Sequence, residues 1–119
     1  MTQWEYMEQC AVFQWAAAQA CRYPELELLA ASLAGVRLTM GQAVKAKRSG
    51  MKKDMPDIHL PVARGEYHAL FIELKEKKNG RVKPGQKEMH ARLNDEGNLC
   101  LVAYGQEEAI RIIREYLRL

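Results

Sequence analysis

Glu73 and Lys75 flank Leu74 in the strand-like run Phe71-Ile72-Glu73-Leu74-Lys75. Successive side chains of a strand point to opposite faces, so these two project together, roughly 7 Å apart along the backbone. Phe71 shares their face, and Ile72 and Leu74 take the other. An unpartnered buried charge costs several kcal/mol, so an acid–lysine pair in a run that otherwise reads as core usually has a chemical role. Asp57 adds a second carboxylate, and Pro56 restricts the backbone just ahead of it. Two carboxylates and a lysine suit a magnesium-dependent phosphodiester hydrolase. Taken alone, Glu-x-Lys on a strand is also the pattern of an ordinary surface pair.

The surrounding charge suits a polyanionic partner and suits plain solvated lysine equally. Residues 45–53 carry Lys45, Lys47, Arg48, Lys52 and Lys53 with no acid. Residues 75–87 carry Lys75, Lys77, Lys78, Arg81, Lys83 and Lys87 against Glu76 alone. One cluster stands on each side of the acidic pair, an arrangement that suits a nucleic-acid backbone laid across a metal-holding centre. The net charge of +3 is too small to decide the matter, and solvated lysine is the plain alternative.

The elements that must position these groups follow from periodicity and punctuation. Residues 3–21 read as a helix with Trp4, Met7, Ala11, Trp15 and Ala18 at helical spacing, ended by Tyr23-Pro24. Leu28 to Leu33 reads as a short strand, and Met40 to Ser49 as a basic helix stopped by Gly50. Ile58 to Leu60 and Tyr67 to Lys75 read as strands joined through residues 61–65, and Asn79-Gly80 as a turn. Pro84 opens a helix to about Asp95 that Gly97 closes. Leu99 to Tyr104 reads as a strand, and Glu107 to Arg118 as a helix with Ala109, Ile110, Ile113 and Leu117 on one stripe. The expectation is one α/β domain over residues 1–119, a single sheet layer with helices against it.

Composition narrows the rest. A hydrophobic fraction of 48% argues for a folded chain rather than a disordered one. No apolar run approaches the ~20 residues that span a bilayer, and no secretion signal is visible, so no membrane partner is expected. Cys10, Cys21 and Cys100 lack metal spacing and read as reduced, buried thiols of a cytoplasmic protein. His59, His68 and His90 show no zinc spacing and read as packing or surface residues. No nucleophilic triad, phosphate-binding glycine loop or dinucleotide fingerprint occurs.

In order and spacing, Pro56-Asp57, Glu73-Leu74-Lys75 and Gln86 resemble the VRR-NUC branch of the PD-(D/E)XK nuclease superfamily. The likeness extends through Leu60-Pro61-Val62-Ala63-Arg64-Gly65 and Tyr67-His68 to the closing helix. It implies a restriction-endonuclease-like central mixed sheet flanked by helices. It also implies Mg2+, with Mn2+ as substitute, held by Asp57, Glu73 and the Leu74 carbonyl, with Lys75 steadying the transition state and Gln86 bracing the lysine or the site backbone. Magnesium takes about six oxygen ligands and keeps several waters, which such a set allows. A first-helix glutamate is expected as well: the family's Glu-x-x-x-Gln spacing favours Glu5, and the apolar stripe favours Glu8. Lys45, Lys47, Arg48, Lys52, Lys53, Lys77, Lys78, Arg81 and Lys83 are the expected DNA contacts. Asp54, Ala69 and Met89 depart from the family pattern, Asp54 standing where glycine is usual.

The implied function is a structure-specific DNA endonuclease that resolves four-way (Holliday) junctions as a homodimer, like free-standing phage and bacterial members of DNA repair and recombination. Two active sites on one two-fold object suit symmetric cutting. Trp4, Trp15, Tyr116 and Leu119 are candidates for the dimer surface or for plain core packing. The alternatives are a flap or single-strand nuclease, an inactive DNA-binding module, and a protein–protein adaptor.

Overall fold

The computed structural model describes Met1–Leu119. Helix α1 spans Gln3–Gln19 and starts at a capping box, in which Glu5 N donates to Thr2 Oγ1 (3.1 Å) and Thr2 N donates to Glu5 Oε1 (2.9 Å). A 3-10 turn at Pro24–Leu28 leads into β1, Ala30–Ala31. Helix α2 is Met40–Arg48, β2 is Ile58–Leu60 and β3 is Leu70–Lys75. Helix α3 is Pro84–Asp95, β4 is Leu99–Tyr104 and α4 is Gln106–Leu117.

The four strands form one mixed sheet in the order β1-β2-β3-β4. The first two pairings are antiparallel, and β3 runs parallel to β4. A parallel pair needs a crossover connection, and α3 supplies it. Its far end closes at Gly97, whose φ of +90° a side chain rarely adopts.

Alternation along β3 divides the molecule. Leu70, Ile72 and Leu74 enter a core with Val12 and Ala16 of α1, Ile58 and Leu60 of β2, and Ala109, Ile112, Ile113 and Tyr116 of α4. Each fully buried Ile or Leu contributes about 1.5–3 kcal/mol by leaving water. Phe71, Glu73 and Lys75 occupy the opposite face, where α3 meets Glu73 through His90.

Four expectations from the sequence are corrected. On α1 the buried residues are Glu5, Val12 and Ala16; Trp4 and Met7 are exposed. This helix is apolar nearly all round, so spacing alone did not define its phase. On α4 the buried set is Ala109, Ile112, Ile113 and Tyr116, not a stripe through Ile110 and Leu117. The Leu28–Leu33 strand shrinks to Ala30–Ala31, because Pro24 starts a 3-10 turn that takes up Leu28. Among the thiols only Cys100 is buried; Cys21 is exposed.

Candidate active site

The ends of β2 and β3 bring the chemistry together. Ile58 pairs with Ile72 in the antiparallel register, which sets Asp57 beside Glu73. Asp57 is locked on both sides: its carbonyl accepts from Ser32 N (2.8 Å), and its Oδ2 accepts from Leu74 N (2.7 Å). Glu73 and Lys75 follow on β3, with Lys75 Nζ 3.9 Å from Glu73 Oε2. All three side chains are buried yet line one cleft of about 490 Å3.

Crowding two carboxylates here has an electrostatic consequence. Burial, then the hydrogen bond and charge of Glu73, push Asp57 up to about 8; the Leu74 N–H and the Lys75 ammonium only partly oppose this. Lys75 is the one cation in contact with the pair, and it would not balance two buried negative charges, so Asp57 holds its proton. A divalent cation would relieve that imbalance. No three His, Cys, Asp or Glu side chains converge to hold a metal by themselves. That donor set suits magnesium, which binds through one or two carboxylates plus waters and substrate phosphate, and not a closed zinc cage.

The first-helix alternatives separate. Glu5 lines the cleft, and its Oε2 accepts from Glu76 N (3.2 Å) while Oε1 caps α1. It thereby ties the start of α1 to the end of β3. Glu8 does not reach the cleft: its Oε2 accepts from Gln106 N (2.6 Å) at the start of α4. A metal-ligand role for Glu8 is therefore corrected to a helix cap, since Gly105 before α4 has no side chain to cap with.

Gln86 lines the cleft, and its Oε1 accepts from Lys83 N (2.9 Å). It braces the backbone where α3 begins. Asp54 also lines the cleft, packed against Gly85; a Cβ at Gly85 would stand 2.6 Å from Asp54 Oδ2. The absent side chain at Gly85 is what lets Asp54 sit over the first turn of α3.

Of the basic residues, Lys53, Arg81 and Lys83 rim the cleft beside Lys75. Lys45, Lys47 and Arg48 lie on α2, whose residues are nowhere buried, and do not line it. Lys52 and Lys78 are exposed outside the cleft lining, and Lys77 faces Glu107 at 3.9 Å.

His90 was read from the sequence as a packing or surface residue, and its contact with Glu73 was not foreseen. It is buried on α3, with Nε2 3.2 Å from Glu73 Oε1. The available signal was its position four residues after Gln86, which stacks the two on one helix face. Cys100 lies on the same side of the sheet, and burial with the nearby Glu73 charge pushes its thiol up to about 12.

One solved structure, described as a "VRR_NUC domain protein", superposes on this chain with a TM-score of 0.82. The two are 32% identical, over 100% of this chain and 92% of that one. No protein-family model matches the sequence, and no curated protein matches it.

Proposed function

The chain belongs to the VRR-NUC domain family, and from that membership we propose that it is a metal-dependent, structure-specific DNA endonuclease. Its substrate is branched DNA, four-way junctions foremost, cut by a homodimer. The observation that carries this reading is the convergence of buried Asp57, Glu73 and Lys75 in one cleft rimmed by Lys53, Arg81 and Lys83.

Asp57, Glu73 and the Leu74 carbonyl would hold Mg2+ or Mn2+. A bound cation supplies an acidified water and positive charge against the phosphate. Asp57 would have to give up its proton to serve as a ligand, and its raised pKa would make metal binding pH-dependent. Lys75 is a fixed positive charge in a partly dehydrated pocket, placed to favour the extra negative charge of the phosphorane-like transition state. Lys53, Arg81 and Lys83 hold flanking phosphates, and Glu5 and Gln86 keep α1 and α3 in register with the strand ends. Asp54, at the mouth of α3, opposes phosphate there and narrows which backbone paths fit.

Cleavage of labelled junction, flap, fork and linear DNA with Mg2+, Mn2+ or EDTA tests the proposal. Junction cleavage that EDTA abolishes is expected. A preference for flap or single-stranded DNA replaces the substrate assignment while keeping the chemistry. DNA binding without cleavage under every metal condition selects the inactive-module reading.

A further inference from the structure

Glu73 is held from two directions. Oε2 faces the Lys75 ammonium in the cleft, and Oε1 meets Nε2 of His90 at 3.2 Å. Both partners of that second contact are withdrawn from water, Glu73 at 2% exposure and His90 at 8%. For Glu73 Oε1 to accept in this contact, the imidazole must be in the tautomer that carries its proton on Nε2. The terminal torsion of a glutamate is broad and roughly two-fold. The buried His90 contact at Oε1, acting with Asp57 beside the same carboxylate, restricts that freedom and leaves Oε2 towards Lys75 and the cleft.

We propose that His90 is a positioning residue for Glu73, orienting its carboxylate so that Oε2 serves as the metal-facing oxygen. The inference rests on the nuclease reading and extends it to a side chain that does not line the cleft itself. Hydrogen-bonded outer partners of metal-ligating groups commonly govern affinity by ten- to hundred-fold. The location of His90 makes this coupling mechanical as well: the helix that begins at the Gln86 brace also carries the donor that aims Glu73. Movement of α3 against β3 would change both together.

The test compares wild type, His90→Leu and His90→Gln, each checked for folding by circular dichroism. Mn2+ binding in the absence of DNA is followed by electron paramagnetic resonance, and junction cleavage is followed separately. His90→Leu should bind Mn2+ about ten- to hundred-fold more weakly and lose kcat to a similar extent, with KM for DNA little changed. His90→Gln, whose amide N–H can reach the same oxygen, should recover most of both. Equal Mn2+ affinity in all three overturns the positioning role and leaves the nuclease reading standing. Wild type that binds no Mn2+ overturns both. If His90→Leu does not fold, histidine-15N NMR of the wild type decides: Nε2 should carry the proton and shift on saturation with Mg2+. An unprotonated or unresponsive Nε2 rejects the proposal.

Discussion

Lys75 and Asp57 carry the sharpest expectations at the scale of single residues. Replacing Lys75 by Ala removes a preorganised charge from a buried site, a change that typically costs about 10²–10³ in kcat. Cleavage of a labelled junction should fall by at least that much while DNA retention on a gel persists; a variant as active as wild type would show that Lys75 is only a packing residue. Asp57 has a pKa near 8 in the fold against an ordinary 3.8. Between those values the folded state binds more protons than the unfolded one, so stability from this group is complete below about 3.8 and lost as pH rises towards 8. Metal-free melting temperature, measured with EDTA, should therefore decline from pH 5 to pH 8, and Asp57→Asn should flatten the decline. If Asp57 holds the cation as proposed, magnesium should stabilise wild type more at pH 8 than at pH 5, because cation and proton would compete for the same carboxylate.

Among the elements, α1 shows how two similar acids acquire different duties. Glu5 and Glu8 lie on the same helix, but the first reaches the end of β3 and the second the start of α4. Glu8→Ala should cost about 1 kcal/mol through loss of a cap, visible in thermal melts, and leave cleavage near normal. Glu5→Ala releases both the capping box and the Glu76 bond, so it should lower cleavage as well as stability. Assays in which Glu8→Ala is the inactive variant would reverse this assignment. Ile113, fully buried where α4 meets the sheet, should cost about 2–5 kcal/mol when cut to Ala, read from a denaturant midpoint. Helix α3 was legible almost to the residue, since Pro84 and Gly97 punctuate it. The phase of α1 was not, because Trp4, Met7 and Ala18 offer an apolar stripe that tertiary packing did not use.

At the scale of the whole molecule, the distribution of charge decides how DNA lies. Lys53, Arg81 and Lys83 surround the cleft, whereas Lys45, Lys47 and Arg48 stand apart on an exposed helix. Each phosphate contact contributes about one to the slope of log affinity against log salt. Removing Lys53, Arg81 and Lys83 together should flatten that slope by about three, measured by fluorescence anisotropy on a junction. The α2 residues should change it only if DNA extends beyond the cleft. The proposed symmetric cutting of a junction would require two sites, so on that proposal sedimentation equilibrium should give twice the 13.6 kDa of the chain. Tyr116 is core and cannot serve a dimer surface, while Trp4 and Leu119 stay exposed and can.

The chain by itself determined β2, β4 and most of β3, the helix boundaries marked by proline and glycine, and Asp57, Glu73 and Lys75 as the candidate reactive set. Those features are local: alternation, turn chemistry and unusual charge in an apolar run are visible within a few residues. Tertiary structure alone decided which first-helix glutamate meets β3, which lysines border the cleft, and that His90 is bonded to Glu73. Such choices depend on contacts between residues 17 to 98 positions apart. They are set by how the elements pack together, which no short-range pattern encodes.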